Sequence, residues 1–331
     1  MATIKDVALK AGVSVTTASY SLNNQGRISE ETKTRVIKAA EKLGYSPSLS
    51  ARGLKGVNPK AIGIFVDGVS GPVYGTIIEA AQERIKSEGW GLIVGTLNSP
   101  GQELAESMVR ESLLAGSVIL NGGLAADRFK KSLLEKAPMV ILDAEPEFLS
   151  SLPLNQSCCR IQIDNETGMQ LIFNEICRLN HRNILYLEGP SSSHDSSDRK
   201  AEFSRLCISE KLQVCFLECN FGTVEAYKNI KQLLTGGFHY DCVTASNDEM
   251  AIGAMKALKE HGYEIPDDII ITGFDDIETA QWVNPALTTV KVDYHELGRL
   301  IGGEILNLIT GGKSVHKNIV FPVSLVKRET T

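Results

Sequence analysis

The chain has 331 residues, 43% of them hydrophobic and 22% charged, with a formal net charge of −6. That balance is ordinary for a globular protein, and the length calls for two or three domains. No run approaches the roughly eighteen uncharged apolar residues of a membrane span, and the N-terminus turns amphipathic at once without an apolar signal region, so the cytoplasm is the expected location.

The charge is unevenly placed. Residues 1–56 hold nine Lys/Arg against four acids, a net of +5 that leaves −11 for the remainder. A small basic head on an acidic body argues against a general polyanion binder and for one domain that meets nucleic acid on one face.

In the head, Thr3-Ile4-Lys5-Asp6 reads as a capped helix start. Ile4, Val7, Ala8 and Ala11 follow at helical spacing. Gly12 stops that helix, because glycine takes a positive φ cheaply. Ser14 caps a second helix, about Val15 to Leu22, with Ala18 and Leu22 on one side, Thr16 and Tyr20 on the other, and Thr17 and Ser19 on the flanks. Two short helices joined by Ala-Gly-Val-Ser make a helix-turn-helix. The outward face of the second carries hydroxyls and an aromatic ring rather than Lys and Glu, which suits phosphates and base edges. A small helical adaptor is the plainer alternative. A third helix starts at Ser29, takes its core from Val36, Ile37, Ala40 and Leu43, and ends at Gly44.

Tyr45-Ser46-Pro47-Ser48 breaks the helical pattern, and Leu49 to Gly56 allows two turns of marginal helix. Leu54, between Arg52 and Lys55, has the chemistry of a wedge pushed between base steps from the minor groove; a flexible linker with an incidental leucine fits the spacing equally.

From residue 61 the pattern alternates. Strand-like runs are Ala61–Val66, Gly91–Gly95, Ser117–Leu120, Met139–Leu142, Asn183–Leu187, Cys242–Ala245 and Ile269–Thr272, with helical runs near 74–88, 102–115, 125–136, 165–180, 199–211, 224–235 and 248–261. Such alternation predicts parallel sheet with right-handed crossovers, in two doubly wound lobes that break near 161–165. The segment around Cys215 also reads as a strand, and Phe321 to Arg328 as a closing one.

Ligands of such folds sit beyond the carboxyl ends of strands. The residues there are Asp67 to Tyr74, Asn98, Ser99, Asn121 to Gly123, Asp143, Asp164, Ser191 to Arg199, Phe221, Asn247, Asp248, Asp275 and Asp276, with Tyr74, Phe221 and Trp282 as candidate ring platforms. Each has an ordinary reading as a cap or turn; their recurrence at strand ends points to a hydroxyl-rich solute such as a sugar. Ser193-His194-Asp195 are consecutive and cannot arrange themselves as a catalytic triad. Gly68 to Gly71 fits neither phosphate-loop pattern. The seven cysteines form no Cys-x-x-Cys and six histidines show no metal spacing, so free thiols, no metal and no cofactor are expected.

Thr3-Ile4-Lys5-Asp6-Val7-Ala8, Ala11-Gly12-Val13-Ser14, Thr17-Ala18-Ser19 and Leu22-Asn23 closely resemble the head of the LacI family, the lactose and purine repressor group. Tyr45-Ser46-Pro47 and Ala51-Arg52-Gly53-Leu54 resemble its hinge, and Ile62-Gly63-Ile64, His181-Arg182, Asn247 to Ala251, Gly273 to Asp276 and Pro285 to Thr289 extend the likeness over essentially the whole chain. The resemblance implies a helix-turn-helix head (1–46), a hinge helix and linker (47–60), and a periplasmic-binding-protein-like body (61–331). The first lobe would span about 61–161 and 291–320, the second about 162–290 and 321–331, with three chain crossings.

It also implies a homodimer on a pseudo-palindromic double-stranded operator. Val15, Thr16 and Tyr20 would read bases, Ser14, Thr17 and Ser19 would hold phosphates, Leu54 would be the wedge, and Thr3, Asn23 and Lys55 would complete the DNA contacts. Effector contacts implied are Tyr74, Arg199, Phe221, Asn247 and Asp275, with Asp164 and Ser193. Departures from the family pattern are Tyr20, where arginine or histidine is frequent, Gly68 to Tyr74, which lacks two usual polar contacts, Ala144 and Glu202. A solute-binding protein without DNA function is the alternative, weighed down by the basic head; an enzyme lacks a catalytic constellation.

Overall fold

The computed structural model describes residues 2–23, 26–45, 60–66, 68, 71–97, 101–120, 137–144, 157–311 and 316–331. The expected hinge, with Leu54 and Lys55, and the helix expected near 125–136 lie outside the described residues, as do Asp67, Asn98, Ser99 and Asn121 to Gly123.

The head is three helices, α1 (Ile4–Ala11), α2 (Val15–Leu22) and α3 (Glu30–Leu43). Each start has the cap its sequence promised. The Thr3 hydroxyl accepts from the Asp6 N–H at 3.4 Å while the Asp6 carboxylate accepts from the Thr3 N–H at 2.7 Å. Ser14 accepts from Thr17 N at 3.0 Å, and Ser29 from Thr32 N at 3.3 Å. These satisfy donors that a helix start leaves orphaned. Gly12 sits at φ 64°, so α1 stops there and the chain turns into α2. Val7, Ala8, Ala11, Ala18, Val36, Ala39 and Ala40 form the head's core. Ile37, expected inside, is exposed, and Ala39 is buried instead, because positions 36, 39 and 40 share one helix face.

The body holds two six-stranded sheets. The first has the order β11-β5-β4-β3-β1-β2, every pair parallel, from β1 (Ala61–Val66), β2 (Gly91–Thr96), β3 (Gly116–Ile119), β4 (Met139–Leu142), β5 (Cys158–Ile163) and β11 (His316–Phe321). The second has the order β12-β10-β9-β8-β6-β7, from β6 (Asn183–Glu188), β7 (Gln213–Glu218), β8 (Cys242–Ala245), β9 (Ile270–Asp275), β10 (Thr288–Lys291) and β12 (Ser324–Val326). Only β12 runs antiparallel to its neighbour in that sheet. Central strands such as Met139-Val140-Ile141-Leu142 are buried on both faces, which is why they read as unbroken apolar runs.

Between the strands lie α4 (Pro72–Ser87), α5 (Gly101–Arg110), α6 (Asn165–Arg178), α7 (His194–Ser209), α8 (Thr223–Thr235), α9 (Asp248–Glu260) and α10 (Tyr294–Thr310). The chain changes sheet three times: after Ile163, after Lys291 and after Phe321. The closing strand expected over 321–328 is two pieces, because Phe321 ends β11 in one sheet and Ser324 opens β12 in the other. Helix α7 starts at His194 rather than near 199, so Arg199 lies inside a helix and not in a loop.

Among the described residues no helix is long and apolar enough to cross a membrane, and no group of His, Cys, Asp and Glu could hold a metal ion. All seven cysteines are free, five of them buried.

Candidate functional site

In the head, α2 presents an exposed side. Val15 and Tyr20 are 44% and 43% exposed, and Thr16 is exposed between them. Beside them the hydroxyls of Ser14 and Thr17 lie 2.8 Å apart at the start of the helix, where N–H groups and the helix dipole favour an anion. Asn23 closes the helix by donating to Ser19 O at 2.9 Å. Thr3 stands exposed at the start of α1, its hydroxyl donating to Asp6. Ser19 corrects one expectation: it is only 4% exposed, turned into the head beside Ala18 rather than out on the flank, and cannot reach a phosphate there.

In the body, a cavity of about 620 Å³ lies beyond the strand ends. It is within the size range of small-solute sites. Tyr74 and Val73 reach it from the first turn of α4; Arg199 and Asp195 from α7; Phe221 from the turn after β7; Asn247 and Glu249 from the start of α9; Asp275 from the end of β9; Tyr294 from the start of α10.

Arg199 organises the floor. It is 3% exposed. Its Nε donates to Asn165 Oδ1 at 2.8 Å and its Nη1 to Ser246 O at 2.7 Å, with Asp275 Oδ1 at 3.5 Å. The guanidinium lies 3.7 Å from the centre of the Phe274 ring. Burial works against the charge, but Asp195 and Asp275 outweigh it and raise the guanidinium pKa. Asp275 is itself unusual, at φ 114°. Burial pushes its carboxyl up to about 6, against the pull of Arg199 and of the Tyr294 hydroxyl, which donates to it at 2.7 Å.

An acid pair joins the lobes. Asp143, at the end of β4, accepts from Ile163 N at 3.1 Å and hydrogen-bonds Asp195, which accepts from Asn165 Nδ2 at 2.7 Å. Burial first, and the Asp195 charge second, hold Asp143 well above the usual carboxylate range.

The Phe221 ring packs closely on Gly189: a Cβ there would stand 2.3 Å from the ring. Asn247 holds the Phe221 turn, donating to Phe221 O at 3.3 Å while its Oδ1 caps Met250 N at 2.9 Å.

Of the effector residues expected, Tyr74, Arg199, Phe221, Asn247 and Asp275 line this one cavity. Asp164 and Ser193 do not. Both are helix caps, occupied by Thr167 N and Ser196 N. Trp282 is 75% exposed and outside the cavity, because the short 3₁₀ turn Glu278–Gln281 carries it away from the strand end. Asp195 belongs to the strand-end stretch Ser191 to Arg199 but not to the effector set that the resemblance implies, whereas Glu249 and Tyr294 were missed as lining residues. Glu249 lies just inside a helix start that follows an inspected strand end, a signal within reach; Tyr294 comes from the other lobe and leaves none.

Comparison with known proteins follows this division. Residues 3–48 match the model of the bacterial regulatory proteins of the lacI family, and residues 173–331 the periplasmic binding protein-like domain. The lactose operon repressor of Escherichia coli (strain K12) is 30% identical over 99% of this chain and 90% of its own length. The ribose operon repressor of Bacillus subtilis (strain 168) is 29% identical over 100% and 99%. A crystal structure of the lac repressor dimer bound to operator and the anti-inducer ONPF superposes with a TM-score of 0.80 at 29% identity, covering 100% of this chain and 99% of that one. With a head that matches the lacI family model, a periplasmic-binding-protein-like body and a relative of this identity along nearly its whole length, the chain belongs to the lacI family of bacterial regulatory proteins.

Proposed function

We propose that this protein is a homodimeric, cytoplasmic transcriptional repressor. It reads a pseudo-palindromic operator through the exposed side of α2, and it changes its hold on that operator when a small hydroxyl-rich solute enters the body's cavity. The observation that carries this reading is the union in one chain of an uncharged, hydroxyl-and-tyrosine helix face with a cavity floored by a buried arginine, in full-length likeness to proteins named as operon repressors.

Val15, Thr16 and Tyr20 meet base edges, and Ser14 and Thr17 hold phosphates beside the α2 N-terminus. Thr3 and Asn23 support the same surface, and Leu54 and Lys55, from the segment between head and body, act in the minor groove. In the cavity the solute faces Arg199 Nη2, which makes no hydrogen bond among the described residues, together with the carboxylates of Asp275 and Asp195 and the rings of Tyr74 and Phe221. The solute need only favour one lobe arrangement over the other, by about 1–3 kcal/mol, to change operator affinity. Buried free thiols fit a reducing compartment.

A gel-shift series on a palindromic duplex selected by the protein tests this, comparing the wild type with Leu54→Ala and Thr16→Ala. Weaker binding by both supports the reading, and wild-type affinity in both variants removes the assigned DNA contacts.

A further inference from the structure

The lining of the cavity has a charge imbalance. Its described acidic residues are Asp195, Glu249 and Asp275 against one basic residue, Arg199. The arginine's charge is already answered inside the protein, by Asp275 at 3.5 Å and by the carbonyls of Asn165 and Ser246. A phosphate or carboxylate on a solute would meet more negative charge than positive.

The three acids also differ in what they lack. Asp275 accepts from Tyr294, and Asp195 from Asn165. Glu249 is half-buried yet, among the described residues, accepts no hydrogen bond and faces no cation; burial alone acts on its carboxyl and pushes its pKa up. Its position in the first turn of α9 eases the charge through the helix dipole but supplies no donor. From the second lobe it reaches toward the first: Oε2 lies 3.9 Å from where a Cβ on Gly71 would stand. The carboxylate therefore sits at the cavity wall, beside Gly71, with its lone pairs open. Leaving such a group partly desolvated is costly. A hydroxyl returns one neutral hydrogen bond, whereas an ammonium returns up to three donors and the missing charge.

We propose that the solute taken by this cavity is a polyhydroxylated molecule bearing a protonated amine, an amino sugar rather than a phosphorylated or carboxylated one, and that Glu249 receives the amine. This rests on the effector reading above. The hydroxyls meet Arg199 Nη2, the second oxygen of Asp275 and Asn220.

Calorimetric titration of the full chain with matched sugars tests it: D-glucose, D-glucosamine and N-acetyl-D-glucosamine, the three galactose counterparts, and D-glucose 6-phosphate. At least one amine should bind about tenfold tighter than its neutral partners, the effect of one charge-assisted hydrogen bond. Raising the pH through the amine's own titration should erase the preference in the wild type. Glu249→Gln should erase it at constant pH by bringing the amine's affinity to that of its neutral partners in the same variant, with the ligand-free melting temperature no lower. Equal or tighter binding by a neutral or phosphorylated member, no binding by either amine, or a preference that survives Glu249→Gln overturns the proposal. A neutral sugar that binds and alters operator affinity removes only the amine. If no solute alters operator affinity, the effector reading itself falls.

Discussion

Tyr294 donates its hydroxyl hydrogen to Asp275 Oδ1 at 2.7 Å, tying the first residue of a first-lobe helix to the last residue of a second-lobe strand. The bond spans the second chain crossing, Lys291 to Tyr294, and its acceptor also faces Arg199 in the cavity. The tie between the lobes and the cavity's arginine thus share one oxygen atom.

Tyr294→Phe removes that bond and leaves a buried carboxylate short of a donor. The loss is about 1 kcal/mol or somewhat more, read as a lower midpoint in urea unfolding. The lobe arrangement is also less constrained, so the ratio of operator affinities with and without solute should change, whereas a purely structural tyrosine would leave that ratio intact.

The acids predict a pH dependence of definite sign. Asp275 titrates at about 6 in the folded protein, above its ordinary 3.8, and Asp143 is also raised. Each binds its proton more tightly folded than unfolded. Their contribution is therefore complete below pH about 3.8 and is lost as the pH rises, through about 6 for Asp275. Glu175 runs the other way. Hydrogen bonds from Arg178 and Lys327 hold its carboxyl down at about 2, so what it contributes is present above pH about 4.5 and is lost as the pH falls toward 2. Melting temperature followed from pH 4 to 7 should fall less steeply in Asp275→Asn than in the wild type, and Glu175→Gln should lower it above pH about 4.5 while flattening the loss toward more acidic pH.

Arg199→Lys keeps the charge but gives up the fixed fork that reaches Asn165 and Ser246 and the stacking on Phe274. Solute affinity should fall at least about tenfold. Operator binding in the absence of solute should survive; parallel loss of both would mean that the arginine only holds the lobe together.

Much of this architecture was readable from residues alone, where local chemistry decides. Thr3, Gly12, Ser14 and Ser29 punctuate the head because a capping hydroxyl or a left-handed glycine acts within four residues. Arg199, Phe221, Asn247 and Asp275 were found by looking past strand ends, where parallel sheets converge. The misses share a cause. Asp164 and Ser193 stand at the same kind of position, but their oxygens are consumed by their own helices. Ser19 is outward on an isolated helix and inward once α2 is packed against α1 and α3. Tyr294 reaches Asp275 only because the chain returns to the other lobe between them, a long-range fact with no local signature.

Tyr20 rests on Gly26. A Cβ on Gly26, which sits at φ 71°, would stand 3.1 Å from Tyr20 Cδ2. Gly26→Asn tolerates that backbone region while adding the crowding atom, so it should move the ring without unfolding the head. In duplex selection, Gly26→Asn and Tyr20→Ala should alter base preference at the same half-site position, at about 1–3 kcal/mol for the tyrosine. Changes at different positions would separate the two residues.

The most direct test of the account is selection from a randomised double-stranded DNA pool by the full chain, followed by affinity measurement over a salt series. The account predicts enrichment of two related half-sites in inverted orientation, with affinity that falls steeply as salt rises. A pool that stays unenriched at low salt, with and without sugars present, contradicts it.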